Sequence, residues 1–460
     1  MIYSISDNID KNIFRGYDIR GIYGEQITEN DAYTIGLAFG SYIKQNNYSK
    51  CIVGHDNRLS SKGLSDALIK GITSSGIDVK FLGLCSTPMY YFAQKYLNIA
   101  PGVMITASHN PKEYNGFKIA FDDRGNACGE IIIDFRNFVN EKVFTKGEGK
   151  ISYYDITKDY LNEIKKSISL GNRKVKVVVD SANAATTVIV REVFSMFSDK
   201  LDVTYINLEN DGTFPNHHPD PAVYENNKQL INKVLEVKAD LGIGIDGDGD
   251  RLGIIDELGN MIYTDIYGIA IVRDLLDKLE DKRVLYDVKC SKALSDAILE
   301  KNGTPIMYRT GNSYMKRRMK EENIKFGLEL SGHIFFNDKW PNLDDGIYAS
   351  LRLIEILTNN NLTVSKITKD KDKYFTLEEV KISCLDENKF KLVDKVMEYA
   401  KNKKYNIIDE DGVRCEFSDG WALVRASNTA PHVLMRAEAL NEKRLLELKE
   451  EFLEVINKNI

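Results

Sequence analysis

Residues 174–194 read KVKVVVDSANAATTVIVREVF, and this stretch decides the fold class. KVKVVVD is an apolar, β-rich run that predicts a buried strand, and the residues after it have the pattern of a helix. The same succession recurs at 51–76, where CIVGHD precedes the amphipathic SSKGLSDALIKGITSSG, and at 282–303, where KRVLYDVKC precedes SKALSDAILEKNG. Strands that alternate with helices predict an α/β protein built from βαβ units.

This α/β pattern recurs three times along the 460 residues, and the pattern of predicted strands and helices changes after about residue 370. We expect three related α/β domains with mixed sheets, at 1–155, 156–262 and 263–370, because each stretch has the length of an ordinary domain. The remaining residues, 371–460, predict a smaller C-terminal α+β domain.

Composition excludes several classes of function. The net charge is -6 and the pI about 5.7, which argues against non-specific nucleic-acid binding, since that needs a basic surface, but leaves room for a local basic pocket for phosphates. No run of about 18 apolar residues predicts a membrane span, and the N-terminus has no signal-peptide pattern. The six cysteines are scattered without a CxxC pair, which favours a reduced cytoplasmic protein without a structural zinc site.

A serine on a loop is the first candidate for chemistry. In ITASHNPKEYNGFKI, residues 105–119, an apolar strand ends and Asn-Pro sets a turn, so Ser108 is expected on an exposed loop at a strand end. Ligands bind at such strand ends in α/β sheets. A serine nucleophile needs a base, a metal or a group loaded beforehand, and His109 and Lys118 are nearby. A Ser-His pair serving only the turn is the alternative.

A triplet of acids is the second candidate. The segment ADLGIGIDGDGDRLGIIDELG places Asp246, Asp248 and Asp250 at alternate positions between two predicted strands. Three close carboxylates repel one another unless a cation lies between them, and they are the hard oxygen ligands that Mg²⁺ prefers. The segment therefore predicts a metal-binding loop.

Two other interpretations of this loop remain. Glu257 falls at the twelfth position of an EF-hand loop, but Arg251 stands where that loop needs glycine and the flanks are predicted strands rather than helices. A solvated acidic turn without metal is the second alternative.

Two further segments carry polar side chains suited to a ligand. FGLELSGHIFF, residues 326–336, places Glu329, Ser331 and His333 on alternate positions, which share one face if the segment is extended. LVRASNTAPHVLMR, residues 423–436, clusters polar side chains between two predicted strands, and an arginine fork there suits a phosphate. Its polar residues are Arg425, Ser427, Asn428 and Thr429. An ordinary water-facing strand and a polar hairpin turn are the alternatives.

In this order, FRGYDIRG, TASHNP, DGDGDR, the SGH loop and RASNT resemble the α-D-phosphohexomutase superfamily over nearly the whole chain, and most of all its bacterial phosphomannomutase/phosphoglucomutase group. The resemblance implies four domains around a central cleft, each contributing one loop. It implies a phosphoserine at Ser108, with Mg²⁺ bound by Asp246, Asp248, Asp250 and the phosphoserine.

The resemblance also assigns substrate contacts. It implies that Glu329 and Ser331 bind sugar hydroxyls and that the 425–429 segment holds the non-reacting phosphate. Other residues match family positions that line the cleft: Tyr17, Arg20, His109, Lys118, Arg251, Lys289 and His333. Asn312 departs from the pattern, because the family often has histidine there, and this leaves the preferred sugar open.

The implied reaction moves a phosphoryl group between C1 and C6 of mannose or glucose phosphates through a hexose 1,6-bisphosphate, which also acts as activator. Lys118 or His109, with Arg20, are the candidates for handling the proton, and His333 is a weaker one. We expect a cytoplasmic monomer or weak homodimer. The alternatives are a phosphoglucosamine mutase, a strict phosphoglucomutase, a metal-dependent phosphatase and a phosphosugar-binding protein without turnover.

Overall fold

The computed structural model describes residues 2–385, 387–427 and 432–460. Its strands form four separate sheets, one after another along the chain. Within the described residues, no helix is both long and apolar enough to cross a membrane.

The first domain contains a six-stranded sheet in the order β1-β5-β4-β2-β3-β6. Strands β2, β3, β4 and β6 are parallel, and β1 and β5 pair antiparallel. The strands are β1 Ile19–Ile22, β2 Lys50–His55, β3 Asp78–Leu84, β4 Gly102–Ile105, β5 Tyr114–Ala120 and β6 Ile151–Tyr153. The helices are α1 Glu29–Gln45, α2 Ser61–Ser74, α3 Thr87–Tyr96 and α4 Glu130–Glu141.

The second domain has a five-stranded mixed sheet in the order β11-β10-β9-β7-β8. Its strands are β7 Val175–Asp180, β8 Leu201–Ile206, β9 Leu241–Ile245, β10 Leu252–Asp256 and β11 Met261–Ile262. Its helices are α5 Thr157–Ser167, α6 Val190–Ser195 and α7 Lys228–Val237. The helix predicted directly after β7 is delayed, because Ala182 and Asn183 adopt positive φ and only a short 3₁₀ turn precedes α6.

The third domain has another five-stranded mixed sheet, in the order β13-β12-β14-β15-β16. Its strands are β12 Arg283–Asp287, β13 Thr304–Tyr308, β14 Phe326–Leu328, β15 Ile334–Phe336 and β16 Leu343–Asp344. Its helices are α8 Thr264–Leu275, α9 Lys292–Glu300, α10 Asn312–Glu322, α11 Gly346–Asn360 and α12 Val364–Ile367. Helix α11 begins after Asp345, whose carboxylate accepts a hydrogen bond from the Tyr348 backbone N–H at 2.9 Å.

The fourth domain has an antiparallel sheet in the order β17-β21-β20-β19-β18. Its strands are β17 Phe375–Ser383, β18 Asn406–Ile408, β19 Val413–Phe417, β20 Gly420–Ala426 and β21 His432–Ala439, and its helices are α13 Lys389–Asn402 and α14 Glu442–Asn457. The expected class, three mixed α/β domains and a C-terminal α+β domain, is thus confirmed. The boundaries at 155, 262 and 370 stay predictions.

Buried apolar side chains join the first three domains into one continuous core. Phe92 of the first domain stacks on Trp340 of the third with ring centroids 5.8 Å apart, and the Tyr160 hydroxyl donates to Asp345 at 2.7 Å. The fourth domain has a core of its own, and it meets the third where Trp421 and Leu423 pack against Val288. The loops of three domains are therefore held in one frame, and the fourth is attached to it.

Candidate active site

A cavity of about 230 Å³ opens between the four domains. Most of the residues that line it have polar side chains, and they come from all four domains: Tyr17, Asp18, Arg20, Ser108, His109, Lys118, Asn126, Arg251, Lys289, Thr310, Gly311, Asn312, Ser313, Glu329, Ser331, His333, Glu379, Arg425, Ser427 and Leu434. The three predicted metal ligands, Asp246, Asp248 and Asp250, lie fully buried beside it. Asn428 and Thr429 fall outside the described residues. The structure thus brings the described candidates together in one place.

Ser108 lies just past the end of β4, as the sequence predicted. It adopts a left-handed φ of 51°, which costs a non-glycine residue roughly 1–2 kcal/mol. Its backbone N–H donates to the Thr106 hydroxyl at 2.8 Å, and its own hydroxyl donates to Asp246 Oδ2 at 2.9 Å. This turn directs the hydroxyl towards the acidic loop of the second domain, although the serine is buried rather than exposed.

The acidic loop joins the antiparallel strands β9 and β10, so the flanks are strands, as predicted. Asp246 Oδ1 accepts from the backbone N–H groups of Gly249 at 3.0 Å and Arg251 at 3.1 Å, and the loop thereby curls around its own carboxylate. A Cβ atom on Gly247 would lie 2.3 Å from the Ser108 carbonyl oxygen. Only glycine allows the loop to approach the serine this closely.

The Lys118 ammonium lies between two of these acids, 2.7 Å from Asp248 Oδ2 and 2.6 Å from Asp250 Oδ2. Burial acts to lower the pKa of Lys118, but the two carboxylates outweigh it and raise that pKa well above its usual value. For Asp246 the causes add, since burial and then the neighbouring acids raise its pKa well above the ordinary range. The close negative charges of this loop therefore favour a bound proton or cation there.

The donor set of this loop fits a small divalent cation. One carboxylate oxygen from each of Asp246, Asp248 and Asp250 can be chosen so that all lie within 4.8 Å of one another. Asp248 Oδ1 and Asp250 Oδ1 are buried and accept no hydrogen bond from the described residues. Buried carboxylate oxygens without donors are costly, and a hard cation satisfies both. The EF-hand alternative is wrong, because strands flank the loop.

His109 and His333 approach the site from two sides. His109 Nδ1 lies 3.2 Å from the Ser108 hydroxyl, and burial, reinforced by Arg251 and Arg20, lowers the pKa of His109 well below its usual value. That ring is therefore neutral at neutral pH.

The ring of His333 is oriented at both nitrogens. Its Nδ1 lies 3.0 Å from Asp344 Oδ2, and its Nε2 accepts from Arg251 Nε at 3.1 Å. Asp344 also receives the Lys316 ammonium at 2.8 Å and the Asn312 amide at 3.0 Å. Asn312 therefore contacts this carboxylate from the edge of the cavity. Because Nε2 accepts from Arg251, the proton of the His333 ring lies on Nδ1.

The predicted extended segment with Glu329, Ser331 and His333 on one face is wrong. Residues 329–333 form the turn of a hairpin between β14 and β15, in which the Glu329 N–H donates to the His333 carbonyl at 2.9 Å and Gly332 has a φ of 106°. The three side chains line the cavity because the turn faces it. Glu329 also accepts from the Gly311 N–H at 2.6 Å, and burial raises its pKa.

Arg425 and Ser427 lie at the end of β20 in a β20–β21 hairpin, as the sequence predicted. The Arg425 guanidinium contacts Asp411 at 2.8 Å, and the Ser427 carbonyl accepts from the Lys389 ammonium at 2.7 Å. Nearby, Lys289 lies 3.3 Å from Asp287. This side of the cavity is suited to an anionic group.

At the other side, Arg20 pairs with Asp18 and donates to Asn110 Oδ1 at 2.6 Å, while Tyr17 lines the wall. Sequence reasoning missed the carboxylates that hold the predicted cations and rings, namely Asp18, Asp344 and Asp411. Their only sequence signal is a position at or near a strand end, which many unrelated acids share. It also missed Arg58, which binds the serine loop from beneath.

Four family models match consecutive parts of the chain. They are described as phosphoglucomutase/phosphomannomutase alpha/beta/alpha domain I at residues 11–141, domain II at 158–259, domain III at 263–374, and the C-terminal domain at 379–455. The resemblance inferred from the motifs is confirmed by these matches.

Individual proteins are similar over nearly the full length. A phosphomannomutase/phosphoglucomutase of Pseudomonas syringae pv. tomato is 38% identical over 442 residues, covering 96% of this chain and 94% of the relative. A phosphoglucomutase of Neisseria meningitidis serogroup A is 36% identical, covering 98% of both. Among solved structures, a phosphoglucomutase/phosphomannomutase family protein of Burkholderia thailandensis superposes with a TM-score of 0.89 at 33% identity, covering 98% of both chains.

Proposed function

This chain belongs to the phosphoglucomutase/phosphomannomutase family, and from that premise we propose that it interconverts the 1-phosphates and 6-phosphates of mannose and glucose. The observation that carries the proposal is the Ser108 hydroxyl, 2.9 Å from Asp246 in a loop of three buried acids. A hydroxyl that stores a phosphoryl group needs a cation beside it, and this loop offers one a place.

Ser108 is the proposed phosphoserine. We assign Mg²⁺ as the metal, held by Asp246, Asp248, Asp250 and a phosphoryl oxygen on Ser108; when bound, it supplies positive charge to the transferring group. Lys118 adds a second positive charge at the same place, since it contacts two of the acids. Positioning and charge stabilisation are the main demands of phosphoryl transfer.

The non-reacting phosphate of the substrate is assigned to the fourth domain. Arg425 offers a planar fork, Lys289 adds charge, and the segment that includes Ser427, Asn428 and Thr429 supplies small donors. Glu329 and Ser331 are assigned to sugar hydroxyls, with Tyr17, Asn312 and Arg251 as further cleft contacts. A central sugar site between two anion sites allows the hexose 1,6-bisphosphate to bind in either orientation, so that each phosphate reaches Ser108 in turn.

Several side chains are candidates for moving the proton of the attacking hydroxyl. His109 is nearest to Ser108, at 3.2 Å, and its ring is neutral. His333 is held by Asp344 with its Nε2 lone pair towards Arg251. Lys118 contacts two carboxylates that hold it protonated, which excludes it as a base and makes it a weak acid, and Arg20 is assigned to orienting the hydroxyl.

A substrate panel tests this function. Purified protein is incubated with Mg²⁺, trace glucose 1,6-bisphosphate, and the 1-phosphate of mannose, glucose or glucosamine, and both isomerised sugar phosphate and free phosphate are measured. We expect isomerisation of the mannose and glucose substrates with little free phosphate. Turnover of glucose 1-phosphate alone would favour a strict phosphoglucomutase; the Neisseria relative is named a phosphoglucomutase. Release of phosphate without isomerisation, or no turnover of any sugar, would refute the proposal.

Three further expectations stay predictions: activation by the bisphosphate, a cytoplasmic location, and a monomeric or weakly dimeric state.

Intact-mass analysis of the purified protein, with peptide mapping, tests the proposed phosphoserine directly. An added phosphate on the Ser108 peptide is the expected result.

A further inference from the structure

Arg58, in the middle of the loop between β2 and α2, lies outside the cavity lining and directly beneath the serine loop. It follows Asp56 in the segment GHDNRLS, and its side chain is fully buried. The structure gives it an unusual set of partners, since its guanidinium binds backbone carbonyls rather than a second carboxylate.

Four carbonyl oxygens of residues 108–114 accept from this one guanidinium. Nη2 donates to Ser108 at 2.7 Å and to Asn110 at 2.6 Å, and Nη1 donates to Pro111 at 2.6 Å and to Tyr114 at 3.0 Å. A planar group with five fixed donors can bind several carbonyls in one plane, which a lysine ammonium cannot reproduce.

The guanidinium is itself fixed from two directions. Its Nε lies 3.2 Å from Asp56 Oδ2, and the other Asp56 oxygen accepts from the Arg58 backbone N–H at 3.0 Å. Phe214 of the second domain lies against it, with 5.2 Å between the ring centroid and the guanidinium carbon. Arg58 is thus bound to the first domain and covered by the second, the domain that supplies the acidic loop.

The contact with the Ser108 carbonyl has a geometric consequence. Ser108 has a positive φ, and its carbonyl oxygen lies between Arg58 and the Cα side of Gly247, where no side chain would fit. Rotating the peptide at Ser108 would break the hydrogen bond from Arg58 to its carbonyl. The same backbone conformation sets the direction of the Ser108 hydroxyl towards Asp246.

We propose that Arg58 is a positioning residue of the reaction, which fixes the backbone of the 108–114 loop so that the Ser108 oxygen stays in line with the acidic loop. This inference rests on the proposed function of Ser108. It does not give Arg58 a contact with substrate, and it predicts that loss of its fork acts on kcat rather than on KM, because misplacement of a reacting group slows the chemical step.

The test compares Arg58→Lys with Arg352→Lys, another buried arginine, whose guanidinium binds Asp338 at 2.9 Å in the third domain and lies outside the cavity lining. For Arg58→Lys we expect kcat to fall roughly 100-fold with KM changed less than about threefold. Arg352→Lys should lose stability without a comparable loss of kcat. Wild-type turnover is measured in the same panel, so an inactive wild type refutes the proposed function, whereas an active wild type with fully active Arg58→Lys refutes only this inference.

Two further readouts separate positioning from a structural role. In Arg58→Ala, added ethylguanidinium replaces the deleted atoms, and it should restore part of kcat, whereas ethylammonium should not. The ³¹P resonance of the phosphoserine should broaden or shift in Arg58→Lys and stay unchanged in Arg352→Lys. Equal kcat losses in both lysine variants, or an unchanged ³¹P resonance in Arg58→Lys, would overturn the inference even if Arg58→Ala does not fold.

Discussion

The two ends of the cleft are built differently. At the Ser108 end, loops from three domains stand on one continuous core, and short hydrogen bonds link the serine loop to the acidic loop and to Arg58. At the Arg425 end, the cleft residues stand on an antiparallel sheet with its own core, which meets the third domain where Trp421 packs against Val288 and Arg414 donates to the Val288 carbonyl.

This difference separates two tasks. The end that holds the reacting group is preorganised, since its loops cannot shift without disturbing a shared core. The end that holds the non-reacting phosphate belongs to a unit that packs by itself. Changes at the first end should therefore appear mainly in kcat, and changes at the second mainly in KM.

The largest effect is expected for Ser108→Ala, which removes the oxygen that carries the phosphoryl group. We expect kcat to fall by roughly 10⁴-fold or more, with an unchanged circular dichroism spectrum, because the change removes one small hydroxyl and its two hydrogen bonds. Ser331→Ala serves as the matched control and should lose only about tenfold, as for a single sugar contact. Near-normal turnover of Ser108→Ala at saturating substrate would remove the basis of the mechanism.

Removal of the metal should have the next largest effect on turnover. Chelation with EDTA should lower turnover roughly 1,000-fold, since several kcal/mol of charge stabilisation is lost, and added Mg²⁺ should restore it. Binding of Mn²⁺, followed by its electron paramagnetic resonance signal, checks the site without reference to activity. Asp248→Asn should weaken that binding, and undiminished Mn²⁺ affinity in this variant would place the metal elsewhere.

At the opposite end, Arg425→Lys should act on binding. Loss of the planar fork removes charge-assisted hydrogen bonds worth about 1.5–3 kcal/mol, so we expect KM for the sugar phosphate to rise about 10- to 100-fold and kcat to change by less than about threefold. Arg444→Lys, on α14 of the same domain and ion-paired with Asp419, is the control and should leave both constants unchanged. A fall in kcat with an unchanged KM would contradict the division between the two ends.

Much of the local structure at the Ser108 end could be predicted from the sequence. The strand–loop–strand around residues 246–251 and the serine after β4 could be predicted because local apolar runs and turn residues specify them. The alternating pattern of residues 329–333 predicted an extended segment, and this prediction is wrong because Gly332, with its positive φ, turns the chain into a hairpin. The helix expected directly after β7 begins later for a similar reason, because Ala182 and Asn183 adopt positive φ and form a turn first.

The partners of the predicted residues could not be read from the sequence. Arg58, Asp344 and Asp411 bind residues that are distant in the chain or on other elements, and nothing local distinguishes them from surface charges. Contacts of this kind are set by tertiary packing alone.

A smaller effect on turnover is expected for Asn312→Ala, which changes a residue at the edge of the cavity, between its Ser108 end and its Arg425 end. The change removes the amide that donates to Asp344 at 3.0 Å, while Lys316 and His333 remain in contact with that carboxylate. One lost hydrogen bond to a charged group corresponds to about 1.5 kcal/mol, so kcat/KM should fall about tenfold. Steady-state kinetics with glucose and mannose 1-phosphates check this, and a loss above about 100-fold would show that Asn312 itself contacts the reacting groups.

The smallest effect on turnover is expected for Asp345→Asn, in the shared core outside the cavity lining. Burial raises the pKa of Asp345 from 3.8 to about 7, although the Tyr348 N–H and the Tyr160 hydroxyl stabilise its charged form. The folded state therefore holds this proton more tightly than the unfolded state, and the resulting stability is complete below about pH 4 and lost as the pH rises through about 7.

By linkage this loss amounts to at most about 4 kcal/mol. Asparagine cannot ionise, so the variant should gain stability relative to wild type between pH 4 and pH 8, with kcat changed less than about twofold. Urea unfolding across that range measures the difference. A constant offset between the two proteins at every pH would show that Asp345 keeps its ordinary pKa, and the shared core would then hold a charged carboxylate at neutral pH.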